Sequence, residues 1–188
     1  MVLGNGQKMI ACATAAGPAF EGMLEEGRQA VWGADLVKAV SLLLEKGILD
    51  ETGLLAETYF KEGVTIGGVR ITQEHVRNLQ TAKAAIAAGV EILVKEYGIA
   101  IEDISQVYLA GGFGYFLEEE AAIRIGLLPK VLQGRIQAVG NSALAGCYAY
   151  HLDRKAEEKI TRIKELTRVI NLADVEGFAE TFVNHMNF

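Results

Sequence analysis

Two cysteines, two prolines, one tryptophan and three histidines are all that this 188-residue chain holds of those four residue types. Each scarcity removes a class of explanation. Cys12 and Cys147 are too few for a four-thiolate iron–sulfur cluster and sit in alanine-rich surroundings, so both read as buried bystanders. His75, His151 and His185 lack the spacing of a metal site, and no Ser-His-Asp or Cys-His arrangement emerges, so no catalytic residue and no metal ligand is assigned. Trp32 is open to a core or an interface role. No charged-then-apolar leader opens the sequence. Its most apolar stretch, residues 99–116, carries Glu102 and Asp103 and falls short of the roughly 20 apolar residues that span a bilayer. Eighteen lysines and arginines against 24 aspartates and glutamates give a net charge of −6, which leaves no basic stripe for a phosphate backbone. The expectation is a cytoplasmic protein with neither nucleic acid nor membrane as partner, in a compartment that keeps Cys12 and Cys147 reduced.

What is present suffices for one self-supporting core. With 51% apolar residues, a chain of this length buries about 70% of the surface its unfolded form exposes, so residues 1–188 read as a single domain. Residues 1–3 and 8–14 around Asn5-Gly6 predict a hairpin, and Gly17-Pro18 turns the chain toward a helix. Leu36, Val37, Val40, Leu43 and Leu44 recur at helical spacing until Gly47. Val64 and Ile71 flank Gly67-Gly68 in a small, peripheral hairpin. The strongest periodicity covers residues 73–97, with Val76, Leu79, Ile86, Val90, Leu93, Val94 and Tyr97 in one stripe, Thr72 as N-cap and Gly89 as a point for a kink. Residues 104–110 predict a strand broken by Gly111-Gly112-Phe113-Gly114. A helix over 117–125 follows, with Glu118, Glu119 and Glu120 at its positive end, Arg124 near its close and Gly126 beyond. Residues 135–139 predict a strand and Gly140-Asn141-Ser142 leads a small-residue helix. A solvated helix over 152–164, a final strand over 166–172 and a helix over 178–186 complete the chain. Strands alternate with helices, so the class is α/β.

Open α/β sheets bind ligands at the carboxyl ends of their strands, which singles out two strand–turn–helix units. In the first, Gly111, Gly112 and Gly114 permit the close backbone approach and positive φ that a ribose or phosphate requires, and serve a tight turn equally well. In the second, Asn141 or Ser142 caps a helix whose alanines and glycines allow close packing. Neither unit carries Gly-x-Gly-x-x-Gly or a Walker loop. Glu21, after the Gly17-Pro18 turn, reads either as a helix-start carboxylate or as a contact to ligand or metal-bound water.

Four ordered blocks taken together resemble one family: Ala11-Cys12-Ala13-Thr14-Ala15-Ala16-Gly17-Pro18-Ala19-Phe20-Glu21-Gly22, residues 107–114, Ile125-Gly126-Leu127-Leu128-Pro129, and Gly140-Asn141-Ser142-Ala143-Leu144-Ala145-Gly146. Arg77-Asn78-Leu79-Gln80 and Ala82-Lys83 extend the likeness over nearly the whole chain. These blocks are similar to the carboxy-terminal domain of ferredoxin-like reductive activators of corrinoid proteins, in the actin, Hsp70 and sugar-kinase ATPase superfamily. The resemblance implies an actin-like ATPase (ribonuclease H-like) second lobe, a mixed sheet flanked by helices. It implies a parent protein that uses ATP and Mg²⁺ to drive an electron from an iron–sulfur cluster in an N-terminal domain to cob(II)alamin. The partner is then a corrinoid protein or a corrinoid/iron–sulfur protein. Gly111, Gly112, Phe113 and Gly114 fall in its adenosine motif, and Asn141 and Ser142 open the connecting helix at the hinge between lobes. Gly17 and Glu21 follow the phosphate hairpin, and Gln80 and Lys83 lie where the long helix approaches the adenine.

Two departures accompany the likeness. The family's Asp-x-Gly-Thr phosphate motif precedes the segment that begins here at Met1, so the first strand of the lobe is missing. Gln29-Ala30-Val31-Trp32-Gly33 stands where relatives carry a Gly-Ile-Cys-Gly-Ser-Gly-like run. The ferredoxin domain and first lobe are expected outside residues 1–188, and this chain alone is expected to be inactive. A non-catalytic interaction or regulatory module, or a lobe of a small-molecule kinase, are the rival readings. Loss of the first strand either lets residues 1–14 pair directly with the Tyr108 strand or leaves an exposed edge, which invites a homo-oligomer.

Overall fold

The computed structural model describes residues 33–66 and 69–188. The expected hairpin of residues 1–14, the turn with Gly17 and Glu21, Cys12 and Trp32 lie outside these residues. Helix α1 (Gly33–Glu45) turns Leu36, Val37, Val40 and Leu43 into the core. It ends as its sequence requires, because Gly47 takes φ +65° and the Ile48 N–H returns to the Leu43 carbonyl at 2.9 Å. After a short helix α2 (Glu57–Phe60), strands β1 (Val64–Ile66) and β2 (Val69–Ile71) pair antiparallel, with Val64 opposite Ile71. This hairpin is not peripheral: Val64 and Ile71 are both buried and join the cluster built on α1.

Helix α3 (Gln73–Tyr97) has the expected bounds. Thr72 caps it by accepting from the His75 N–H at 3.4 Å, while His75 Nδ1 accepts from the Thr72 N–H at 3.2 Å. A histidine thus performs the reciprocal half of a capping box, where Glu or Gln usually stands. Gly98, at φ +75°, closes the helix through the carbonyls of Val94 and Lys95. The helix continues through Gly89, which is buried, and no break occurs there. Its inner face is shifted from the predicted stripe: Gln80, Lys83, Ala84, Ala87, Ala88 and Ile92 are buried beside Val76, Leu79 and Val94, while Ile86, Val90 and Leu93 are half-buried and Tyr97 is exposed.

Strands β3 (Val107–Ala110) and β4 (Ile136–Gly140) pair in parallel from Val107 opposite Ile136 to Ala110 opposite Gly140. Among the described residues the expected mixed sheet is thus represented by this pair and the β1–β2 hairpin. The glycine run does more than break the strand: residues 111–116 form a helix, α4 (Gly111–Phe116). Helix α5 (Glu119–Arg124) follows, and Arg124 bonds Ser41 at 3.0 Å and Glu45 at 2.9 Å, fastening α5 to α1. Helix α6 (Ser142–Leu152) takes in Leu152, so the solvated helix α7 (Ala156–Leu166) begins later than expected. Asp153 separates them, accepting from the Lys155 N–H at 2.9 Å and pairing with Lys159 at 2.5 Å.

The expected strand over residues 166–172 does not form. Leu166 closes α7, Thr167 and Asn171 are extended, and Leu172–Asp174 is a 3₁₀ turn. A strand needs a neighbour for its backbone groups, and among the described residues none lies alongside, so Val169 stands 87% exposed. Helix α8 (Phe178–Asn184) returns the chain to α3. Cys147, expected to be buried, is exposed, and α6, although α7 packs against it, has no buried residue.

Leu43→Ala is expected to cost about 2 to 5 kcal/mol, the range for emptying a packed leucine site. Leu144→Ala on the uncovered face of α6 should stay within about 0.5 kcal/mol of the parent. Urea denaturation of the two variants checks the contrast. Equal losses would show that the core does not centre on α1.

Candidate functional site

Because β3 and β4 run parallel with Ala110 opposite Gly140, the segments that follow them leave the sheet at one end. Gly111 and Gly112 are thereby brought beside Gly140, Asn141 and Ser142, which unites the two strand–turn–helix units singled out in the sequence. Gly111 sits at φ +84° and Gly140 at φ +63°, so the chain needs glycine to turn out of each strand. Gly111 and Gly112 are exposed, and a Cβ on either would meet no atom of the described residues within 4 Å. Gly114 differs: it is buried, and a Cβ there would approach that of Leu109 to 2.9 Å, so its smallness seats α4 on β3. Phe113 is partly exposed and lies against Gly33 at the start of α1.

Asn141 Oδ1 accepts from the Leu144 N–H at 2.9 Å and caps α6, while Ser142 is the first, exposed residue of that helix. Open main chain at Gly111-Gly112 therefore faces the same end of the sheet as a side-chain amide and a hydroxyl. None of these groups titrates near neutral pH. The arrangement can hold and orient a polar ligand, and it carries no general acid, base or nucleophile. Among the described residues no group of His, Cys, Asp and Glu is placed to hold a metal ion. Tyr115 and Phe116, large exposed aromatics packed edge to face at 5.1 Å, close α4, and a Cβ on Gly140 would stand 3.9 Å from the Tyr115 ring.

Gln80 and Lys83, implied to lie where the long helix approaches the adenine, are both buried on α3. The Gln80 amide donates to the carbonyls of Thr52 and Met186, each at 3.0 Å, and its Oε1 accepts from Arg77 at 2.7 Å. Gly53, at φ +78°, lies so close that a Cβ would stand 2.4 Å from that amide. The Lys83 ammonium donates to the Asn187 carbonyl and lies 5.3 Å from the centre of the Phe188 ring. The polar atoms of both side chains are thus engaged by the turn at Thr52, by Arg77 and by the C-terminal tail. Sequence reasoning missed Arg77 as a partner of Gln80 and the tail as a partner of Lys83. The positive-φ glycine at position 53 was the one local signal available, and it does not name its neighbour.

Residues 23–188 match the family described as the C-terminal domain of RACo, the ASKHA domain. The chain is 28% identical, over an alignment of 242 residues, to the corrinoid activation enzyme RamQ of Eubacterium limosum, which covers 100% of this chain and 41% of that protein. It is 26% identical over 154 residues to the [Co(II) methylated amine-specific corrinoid protein] reductase of Methanosarcina barkeri, covering 82% of this chain and 27% of the relative. A solved structure of a reductive activator for corrinoid, iron–sulfur protein is similar with a TM-score of 0.74 and 30% identity, covering 85% of this chain and 28% of that one. The chain therefore spans less than half the length of these relatives.

Burial lowers Lys83 from its ordinary 10.5 to about 8. Between pH 8 and 10.5 the unfolded chain holds a proton there that the folded chain has released, so this residue makes stability rise with pH across that window. Below pH 8 both states hold the proton and the burial penalty is carried in full. Wild type should therefore gain about 1 to 3 kcal/mol on Lys83→Met between pH 8 and 10.5. Urea midpoints of the two proteins, compared at each pH so that other titrations cancel, measure it. A flat difference would mean that the ammonium is solvated.

Proposed function

Since this chain belongs to the family of the C-terminal domain of RACo, the ASKHA domain, we propose that it is the nucleotide-binding lobe of a longer, ATP-dependent reductive activator of a corrinoid protein. The observation that carries this reading is the union of Gly111-Gly112 with Asn141-Ser142 at one end of the β3–β4 pair. Exposed glycine backbone suits a ribose and base laid against the main chain, and the asparagine and serine offer hydrogen bonds to its hydroxyls. The names of the relatives, an activation enzyme and a corrinoid protein reductase, supply the substrate class.

ATP and Mg²⁺ are the cofactors of this reading, and the described residues fit only part of them. The open glycines suit the adenosine half, whereas no described carboxylate cluster suits the metal. Gly17 and Glu21, which follow the phosphate hairpin in the family resemblance, lie outside the described residues, and the phosphate and Mg²⁺ contacts fall in this reading to the remainder of the longer chain. When bound, ATP supplies the free energy that makes an uphill electron transfer feasible. The part played by this lobe is to bind the nucleoside and to move as a body with it, because its site sits on two short strands and the helices that leave them. An iron–sulfur cluster belongs, in this reading, to an N-terminal domain of the longer chain, since two cysteines cannot ligate one here. Residues 1–188 act as one lobe of a cytoplasmic protein, and no helix among the described residues is long and apolar enough to cross a membrane. The edge of β3 away from β4, unpaired among the described residues, is where a further strand of the longer chain or a second copy would add.

Gly112 separates binding from folding. Its φ is not positive and a Cβ there would meet no atom of the described residues within 4 Å, so Gly112→Val should leave stability within about 0.5 kcal/mol. ATP affinity of the longer protein should fall roughly tenfold or more, because the branched side chain fills the space assigned to ribose. Calorimetric titration beside thermal melting checks this, and unchanged affinity would return Gly111-Gly112 to the role of a tight turn. The 188-residue chain alone should show no steady ATP turnover.

A further inference from the structure

The Gly126-Leu127-Leu128-Pro129 run takes no part in the nucleotide reading, yet its Gly126, Leu128 and Pro129 form one wall of a trough against the C-terminal half of α3. The trough has a volume of about 660 Å³, within the range of sites that hold small organic ligands. Its lining is largely apolar, with Ala87 and Val94 from α3, Ile99 and Ile101 beyond it, and Ile123 and Leu128 opposite. Ile99, Ile101 and Ile123 are only partly covered, so apolar surface remains for a ligand to bury.

The charged groups at this trough are of one dominant sign. Lys95 and Lys130 both line it, and among the described residues neither ammonium has a hydrogen-bond or ion-pair partner. The one carboxylate in the lining, Glu91, is engaged by His185 Nε2 at 2.8 Å. Two unpaired cations beside an uncovered apolar trough define a ligand with an apolar body and an anionic head. We propose that this trough binds a small amphipathic monocarboxylate, its chain laid on Ile99, Ile101 and Ile123 and its carboxylate met by Lys95 and Lys130. Burial of the chain supplies affinity, while the exposed lysines select the sign of the head group. This site is separate from Gly111-Gly112 and stands whether or not the lobe binds nucleotide.

Octanoate, octan-1-ol and octylammonium, titrated below their aggregation concentrations into the 188-residue chain, test it by amide chemical shifts. Octanoate is expected to give saturable shifts at Ile99, Ile101 and Ile123. It should bind roughly three- to tenfold more tightly than the alcohol, with octylammonium weakest. Lys95→Gln/Lys130→Gln, two exposed changes that leave the core intact, should erase the preference for octanoate while octan-1-ol binding persists. Octylammonium binding as tightly as octanoate would overturn the proposal. So would shifts that centre on other residues, an octanoate preference that survives in the double variant, or no saturable shift at all.

Discussion

Burying the Gln80 amide and the Lys83 ammonium on the inner face of α3 is tolerable only because main-chain carbonyls meet both. A polar group removed from water without a partner costs about 1 to 3 kcal/mol, and a charge costs more. Here Thr52, Met186 and Asn187 provide the acceptors, and Arg77 fills the remaining acceptor atom of Gln80. The arrangement binds two pieces of chain to one helix, the turn after α1 and the tail after α8. Phe188 extends it by donating its N–H to the Glu51 carbonyl at 2.9 Å. Among the described residues no buried side-chain nitrogen or oxygen lacks a partner.

That clasp lies on one side of the fold and leaves the end of the β3–β4 pair open. Parallel strands are ordinarily covered on both faces. In the described residues α4 packs against β3 and β4, while Tyr108, Val139 and the whole of α6 remain uncovered. The contrast between neighbouring glycines follows from the same geometry. Gly114 is small so that α4 can pack on Leu109, whereas Gly112 faces open space with no packing reason for its size. A glycine without a steric reason, next to one with a plain steric reason, gives the proposed nucleoside contact its physical footing.

Several errors of expectation share one cause. Residues 166–172 have the composition of a strand, and their backbone is extended at Thr167 and Asn171, yet no ladder forms because no described segment lies alongside. Cys147 sits in a run of small and apolar residues and reads as buried, yet it is exposed because α6 keeps no buried residue among the described ones, its packing against α7 notwithstanding. In each case the residues were read correctly as apolar or β-prone, and what was missing was the neighbour.

By itself the sequence determined what depends on a span of a few residues. The turn at Gly47, the Thr72 cap, the bounds of α3, the β1–β2 hairpin and a cap at Asn141-Ser142 all rest on contacts within a few positions along the chain. It also placed Gly111-Gly112 and Asn141-Ser142 at strand ends, since that follows from local order alone. Only the tertiary structure decided that these two ends lie side by side, through the parallel register of β3 with β4. It alone decided that Gln80 and Lys83 are sealed by residues 106 and 104 positions away. Periodicity fixes which face of a helix is buried. It does not say which carbonyls will arrive there, because their arrival depends on how the remote chain closes over that face.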